Sequence, residues 1–135
     1  MGLSASIVYA AALALVFLAL SARVVLLRRR LKVGVGSGGH EVLTRAMRAH
    51  GNFAEYVPLA LVLLMLVEAG TAAGTLIVHA LGLTLLVGRL LHGFFGLNRS
   101  AGYSAGRFGG TVLTWLMILV CALLLLGTAI GRCLL

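Results

Sequence analysis

The sequence predicts an all-α membrane protein, built as one domain in which four transmembrane helices form a bundle. Of the 135 residues, 61% are hydrophobic and only 10% are charged, and the mean hydropathy is +1.13. These values lie outside the range of soluble domains. The formal charge of +8 comes from basic residues that flank apolar segments. That arrangement indicates membrane orientation and argues against nucleic acid as the partner.

The first predicted helix covers residues 4–27 and has no charged residue before Arg23. A cleaved signal peptide carries its positive charge before the apolar segment. Here the basic cluster follows that segment: Arg28, Arg29, Arg30 and Lys32. We therefore expect an uncleaved helix with its N-terminus outside. Arg23, about one turn before the cluster, either snorkels to the headgroups or faces a ligand. The glycine-rich residues 33–40 form the next connection.

The second predicted helix, residues 41–68, would be about 42 Å long. Only residues 56–67 are purely apolar, and a span needs about 20 such residues. The preceding half carries a polar stripe within an arc of about 100°, formed by Arg45, Arg48, Asn52, Glu55 and Tyr56. His50 points to roughly the opposite side of the same helix. The first half of this helix must therefore be shielded by other helices.

An arginine near the bilayer core costs about 2.5 to 3.5 kcal/mol on insertion scales, so charged groups there face protein or a watery cavity. The polar stripe is accordingly the main candidate site. An ion pair between Arg48 and Glu55 that only pins helices together is the alternative. Because a lone bundle would leave the stripe or His50 facing lipid, we also expect a closed oligomer.

The remaining spans are predicted at residues 75–95 and 111–130. Small residues at 68–74 make the second and third helices an antiparallel hairpin, and Arg89 and His92 share a face near the end of the third. Residues 96–110 read as a polar, glycine-rich loop that contains Arg99 and Arg107. Cysteines 121 and 133 are about 18 Å apart along a helix axis, too far to bond, and no cluster has metal-ligand spacing.

The distribution of basic residues predicts the topology. Ten of the eleven fall toward one side, and Arg132 is the exception. By the positive-inside rule, both termini lie outside and both long connections lie in the cytoplasm. The charged residues of the second helix, the end of the third and the loop before the fourth then collect near the cytoplasmic face.

A basic, partly desolvated pocket with one carboxylate suits a small zwitterionic ligand with excess negative charge. Arginine forks would bind its carboxylates, and Glu55 would bind its ammonium group. If the ligand carries a thiol, a neighbouring arginine lowers the thiol pKa and produces a nucleophilic thiolate. The sequence contains no Ser-His-Asp triad, Cys-His pair or phosphate-binding loop that would favour another chemistry.

Residues 48–58, RAHGNFAEYVP, resemble the helix 2 signature of the MAPEG proteins, the membrane-associated proteins of eicosanoid and glutathione metabolism. The order of four helices, the basic first connection and residues 88–92, GRLLH, resemble the small bacterial branch of that family. The resemblance implies a homotrimer in the bacterial inner membrane. It also implies that glutathione, as co-substrate, binds between neighbouring subunits and reacts with a hydrophobic substrate from the bilayer.

The resemblance also implies residue roles. The expected glutathione contacts are Arg48, His50, Asn52, Glu55, Tyr56, Arg89 and His92. The arginine that stabilises the thiolate should lie just before or at the start of the fourth helix, where Arg107 fits best and Arg99 is the competitor. The implied activity is that of a glutathione transferase or peroxidase. A non-catalytic scaffold that binds lipid or glutathione is the alternative.

A small proton-coupled drug exporter is a third hypothesis, because it also has four short helices and one membrane carboxylate. Exporters of that kind carry the glutamate in the first helix. Here the first helix has no acidic residue, and Glu55 lies among arginines in the second.

Overall fold

The protein folds as four long helices. The computed structural model describes residues 3–98 and 102–134. Helix α1 covers Ser4–Leu31, α2 covers Glu41–Gly70, α3 covers Thr75–Leu90, and α4 covers Ala105–Cys133. Helix α3 continues without a break as a π-helical segment, Leu91–Leu97. Within the described ranges, four helices are long and apolar enough to cross a membrane. The predicted all-α, four-span membrane protein is confirmed.

The bundle places α2 and α3 at its centre, because α1 and α4 each pack against both of them. The buried side of α2 recurs every three or four residues, as an amphipathic helix requires, and consists of Leu43, Ala46, Ala49, Phe53, Val57, Ala60, Leu64 and Val67. The outward faces carry exposed leucines and valines instead. Such apolar outer faces are suited to contact with the acyl chains of a bilayer.

The two ends of the bundle differ in charge. Connection 32–40, the end of the π-helical segment and the start of α4 lie at one end, which we call the basic end, whereas the short connection 71–74 lies at the far end. At the far end the Glu68 carboxylate accepts backbone N–H bonds from Ala5 at 2.9 Å and Ser6 at 2.8 Å. A carboxylate against the unpaired N–H groups of a helix start is stabilising. Glu68 therefore fastens α1 to α2.

Five helix limits differ from the sequence-based bounds, namely the ends of all four predicted helices and the start of the fourth. Helix α1 extends one turn beyond residue 27, and α2 ends at Gly70. The largest difference concerns residues 96–110, which were expected to form a loop: the helix after α3 reaches Leu97, and α4 begins at Ala105.

The glycines of this region act as contact points between helices rather than as helix breakers. A Cβ on Gly110 would lie 2.5 Å from the Gly88 carbonyl oxygen, and one on Gly106 would lie 3.0 Å from the Phe95 backbone. Small residues let membrane helices approach this closely. The Ser104 side chain caps α4 by accepting the Arg107 N–H at 3.2 Å. The close packing and the cap together explain why the helices occupy most of the predicted loop.

Candidate functional site

Arg89, at the end of α3, joins three helices at the basic end. It is only 2% exposed. Its Nη1 donates to Asn52 Oδ1 of α2 at 2.9 Å, and its Nη2 donates to the Gly110 carbonyl of α4 at 3.2 Å. The guanidinium carbon lies 5.5 Å from the centroid of the Tyr56 ring, within cation–π range. Asn52 and Tyr56, which we call the inner pair, therefore both contact Arg89. The three residues together form the Arg89 cluster.

Arg48 and Glu55, which we call the outer pair, are the other half of the stripe and face away from the bundle. Both side chains are exposed. Among residues 3–98 and 102–134, neither has a hydrogen-bond or ion-pair partner. Arg45 instead pairs with Glu41 at 2.9 Å, one turn earlier on α2. The alternative of an Arg48–Glu55 pair that pins helices is therefore not seen in this part of the chain.

His92 lies in the π-helical segment and holds the first turn of α4. Its ring Nδ1 lies 3.2 Å from the Arg107 carbonyl oxygen and 3.1 Å from Thr111 Oγ1. The Thr111 hydroxyl also lies 2.9 Å from that carbonyl, to which it donates. These contacts hold the π-helical segment against the start of α4. π-Helical turns within α-helices are frequent at functional sites.

Arg107 lies in the first turn of α4, beside an open groove. Its Nη1 donates to the Gly102 carbonyl at 2.8 Å. Gly96 of the π-helical segment makes room for it, since a Cβ there would lie 2.6 Å from Arg107 Cγ. The groove, which we call the Arg107 groove, has a volume of about 520 Å³ and is lined by residues that include His92, Tyr103, Phe108, Thr111 and Trp115. It combines a cation with aromatic walls.

One predicted site residue lies elsewhere, and another is not among the described residues. His50 faces α1, where its ring centroid is 4.7 Å from that of Phe17, so it joins neither the Arg89 cluster nor the Arg107 groove. Arg99 lies outside the described residues. No group of three metal-ligating side chains occurs among residues 3–98 and 102–134.

Comparison with known proteins identifies the family. The MAPEG family model matches residues 6–127. The chain belongs to the MAPEG family. It is 40% identical over 121 residues to "Inner membrane protein YecN" of Escherichia coli strain K12, covering 90% of this chain and 86% of that protein. The same figures hold for YecN of Escherichia coli O6:H1 strain CFT073. No solved structure matches the chain significantly.

Family membership confirms the resemblance read from residues 48–58. It makes this chain a membrane protein of the glutathione and eicosanoid metabolism type. The prediction of an integral inner-membrane protein is also confirmed. The orientation of the termini stays a prediction.

Sequence reasoning missed several groups that shape this MAPEG site. The Gly110 carbonyl, the Ser104 cap and the Thr111 hydroxyl all lie where a loop was expected or at its border. One signal was present: Gly106 and Gly110 form a GxxxG spacing. In an apolar protein that spacing indicates a close contact between helices. Here the contact is with the end of α3.

Proposed function

We propose that this MAPEG protein binds glutathione and uses it, as a transferase or a peroxidase, on hydrophobic electrophiles. The observation that carries the proposal is the outer pair, an exposed arginine and an exposed carboxylate on a membrane-spanning helix, neither of which has a hydrogen-bond or ion-pair partner among the described residues. Arg48 and Glu55 differ by about 20° around α2 and by about 10 Å along it. They suit a short peptide with carboxylates and an ammonium group, such as glutathione.

Arg107 is the residue we assign to the sulfur. A cation within about 4 to 6 Å of a thiol favours the thiolate by one or more pKa units. In the transferase reaction, the thiolate attacks an electrophilic carbon, an S–C bond forms, and the electron pair goes to the leaving group or the adjacent acceptor atom. In the peroxidase reaction, the thiolate attacks the terminal oxygen of a hydroperoxide, the O–O bond breaks, and the alkoxide takes up a proton and leaves as the alcohol. A second glutathione thiol then attacks the sulfur of the resulting sulfenic acid, which forms the disulfide and releases water.

The oligomer we propose is a homotrimer in which the outer pair of one protomer faces the Arg107 groove of its neighbour. An arginine and a carboxylate on a lipid-facing surface are costly. A neighbouring protomer and a charged ligand would cover both. The apolar row that continues the same face of α2, Leu59, Val62 and Leu66, is also exposed and would pack against that neighbour.

The test separates binding from chemistry. Glutathione is titrated into the purified protein by calorimetry, and thiolate formation is followed as an ultraviolet difference signal. We expect Arg107→Ala to leave affinity nearly intact and to abolish the thiolate at neutral pH. The signal should recover partly as pH rises toward the free thiol value of about 8.5.

Arg132→Ala is the matched control, because it removes the same charge at the far end, where Arg132 donates to the Gly70 carbonyl. A full thiolate signal from Arg107→Ala would refute the assignment. If Arg99→Ala loses the signal instead, the catalytic role moves to that residue.

A non-catalytic scaffold is the second candidate. It is favoured by the bond from the Arg107 guanidinium to the Gly102 carbonyl, which gives this arginine a structural task within the protomer. The unmodified protein would then bind glutathione or lipid without any thiolate signal.

A further inference from the structure

The arginines at the end of α1 have different environments. The Arg28 guanidinium donates to the Gly34 carbonyl at 3.1 Å and to the Gly36 carbonyl at 2.9 Å, which closes the first connection. Arg23 and Arg30 are both exposed. Neither has a hydrogen-bond or ion-pair partner in the part of the chain that the structure describes. Together they line a groove of about 350 Å³, whose other walls are Ala19, Ala22, Leu26 and Leu27.

The depth of this groove in the membrane follows from helix geometry. Arg23 lies about 29 Å along the helix axis from Ser4, the first residue of α1. The hydrocarbon core of a bilayer is about 30 Å thick. Arg23 is therefore expected at the boundary between acyl chains and headgroups, and Arg30, two turns further on the same side, among the headgroups. The alanines lie deeper, on the acyl-chain side.

The protomer does not cover the face of α1 that forms this groove. Of the six lining residues, five are exposed and Leu27 is half-buried, whereas the Arg28 guanidinium, on another side of the helix, reaches Met47 Sδ of α2 at 3.4 Å. The described lining of the groove contains two guanidinium groups and no carboxylate. The anion that a bilayer supplies at this depth is the lipid phosphodiester, to which guanidinium forks donate paired hydrogen bonds.

We propose that this groove, the Arg23–Arg30 groove, is a binding site for an anionic phospholipid. The phosphodiester lies between Arg23 and Arg30, and the glycerol and an acyl chain cover Ala19, Ala22 and Leu26. A zwitterionic lipid fits less well, because its ammonium group would meet two cations with no carboxylate to offset them. The site shares no residue with the Arg89 cluster, the outer pair or the Arg107 groove, so it stands independently of the glutathione proposal.

Native mass spectrometry of the detergent-purified protein tests the proposal. Phosphatidylglycerol and phosphatidylcholine with the same acyl chains are titrated separately, and bound lipids are counted. The double variant Arg23→Gln/Arg30→Gln should bind phosphatidylglycerol about 25-fold more weakly, at roughly five-fold per cation. The matched control is Arg29→Gln/Lys32→Gln, which removes the same charge at the same end. It should weaken binding about five-fold at most.

Several outcomes would overturn the site. Equal losses in both double variants would mean diffuse attraction to a charged surface, and equal binding of phosphatidylcholine would remove the anionic preference. Displacement of the lipid by inorganic phosphate at the same concentration would show that a free anion suffices. Dissociation of the oligomer in the Arg23→Gln/Arg30→Gln variant, with lipid binding unchanged, would make the groove a contact between protomers.

Circular dichroism and the single variants distinguish a loss of lipid binding from a loss of folding. Since the groove residues are exposed, far-UV helical content should match that of the unmodified protein. If the double variant does not fold, the single variants Arg23→Gln and Arg30→Gln should each weaken phosphatidylglycerol binding about five-fold. No effect from either single variant would equally refute the proposal.

Discussion

The inner pair and the outer pair come from the same polar stripe of α2 but have different environments. Asn52 and Tyr56 turn toward Arg89 of the same protomer, whose guanidinium donates to Asn52 Oδ1 and lies over the Tyr56 ring. Arg48 and Glu55 lie on the other edge of the stripe and meet no partner among the described residues. Polar residues in a membrane helix can therefore serve two purposes within two turns: one set fastens the bundle, and the other remains available for a ligand or a neighbouring protomer.

The largest expected effect concerns the inner side. Arg89→Ala would leave Asn52 Oδ1 without its donor, remove one of the hydrogen bonds to the Gly110 carbonyl, to which Thr114 Oγ1 also donates, and create a cavity at a buried position. We expect a loss of about 3 to 5 kcal/mol in the free energy of unfolding. Denaturant-induced unfolding in detergent, followed by circular dichroism, measures this. The control, Arg48→Ala, should change the same quantity by about 0.5 kcal/mol or less. Equal losses of unfolding free energy in the two variants would contradict the proposal that the inner pair stabilises the bundle and the outer pair does not.

The second prediction concerns the outer pair, and its readout is binding. Arg48→Ala or Glu55→Gln should weaken glutathione affinity by about 1.5 to 3 kcal/mol, as expected for charge-assisted hydrogen bonds, while the stability of the bundle hardly changes. Isothermal titration calorimetry measures the affinity. Arg45→Ala is the control, because Arg45 is paired with Glu41. Unchanged affinity in both test variants would leave the outer pair without its proposed ligand.

The third prediction concerns the contact between the π-helical segment and α4. A methyl group on Gly96 would lie 2.6 Å from Arg107 Cγ and 2.8 Å from its backbone nitrogen, so Gly96→Ala must displace the first turn of α4. Overpacking of this kind costs about 1 to 3 kcal/mol, and the thiolate signal should fall with it. Unfolding and ultraviolet titration are measured on the same sample. Gly109→Ala, which would meet nothing within 4 Å, should leave the thiolate signal unchanged and the stability unchanged or slightly raised, as expected for alanine in a helix.

The smallest effect is expected at Gly51, which lies beside the outer pair on α2. A Cβ there would meet nothing within 4 Å of the protomer. Replacing glycine by alanine in a helix adds up to about 1 kcal/mol of stability. Thermal unfolding of Gly51→Ala in detergent should therefore show an unchanged or slightly raised midpoint. A lowered midpoint would reveal that a neighbouring protomer packs closely against this face, and native mass spectrometry would then show weaker association.

The sequence by itself determined the number of spans, the basic end and the family. Long apolar segments separated by short polar ones indicate membrane helices, because a helix of about 20 residues crosses the bilayer and satisfies its own backbone hydrogen bonds. The angular order of the polar stripe also followed from the sequence, since 100° per residue is a property of the helix alone. Residues 48–58 were enough to predict the MAPEG family.

Only the tertiary structure decided which edge of the stripe turns inward and where α4 begins. The direction of each residue around α2 is known from its position, but the direction of the core depends on where α1, α3 and α4 pack. That packing turns Asn52 toward Arg89 and His50 toward Phe17. The start of α4 could not be predicted from the sequence, because glycine occurs both in turns and at close contacts between helices. Only the position of the neighbouring backbone distinguishes the two.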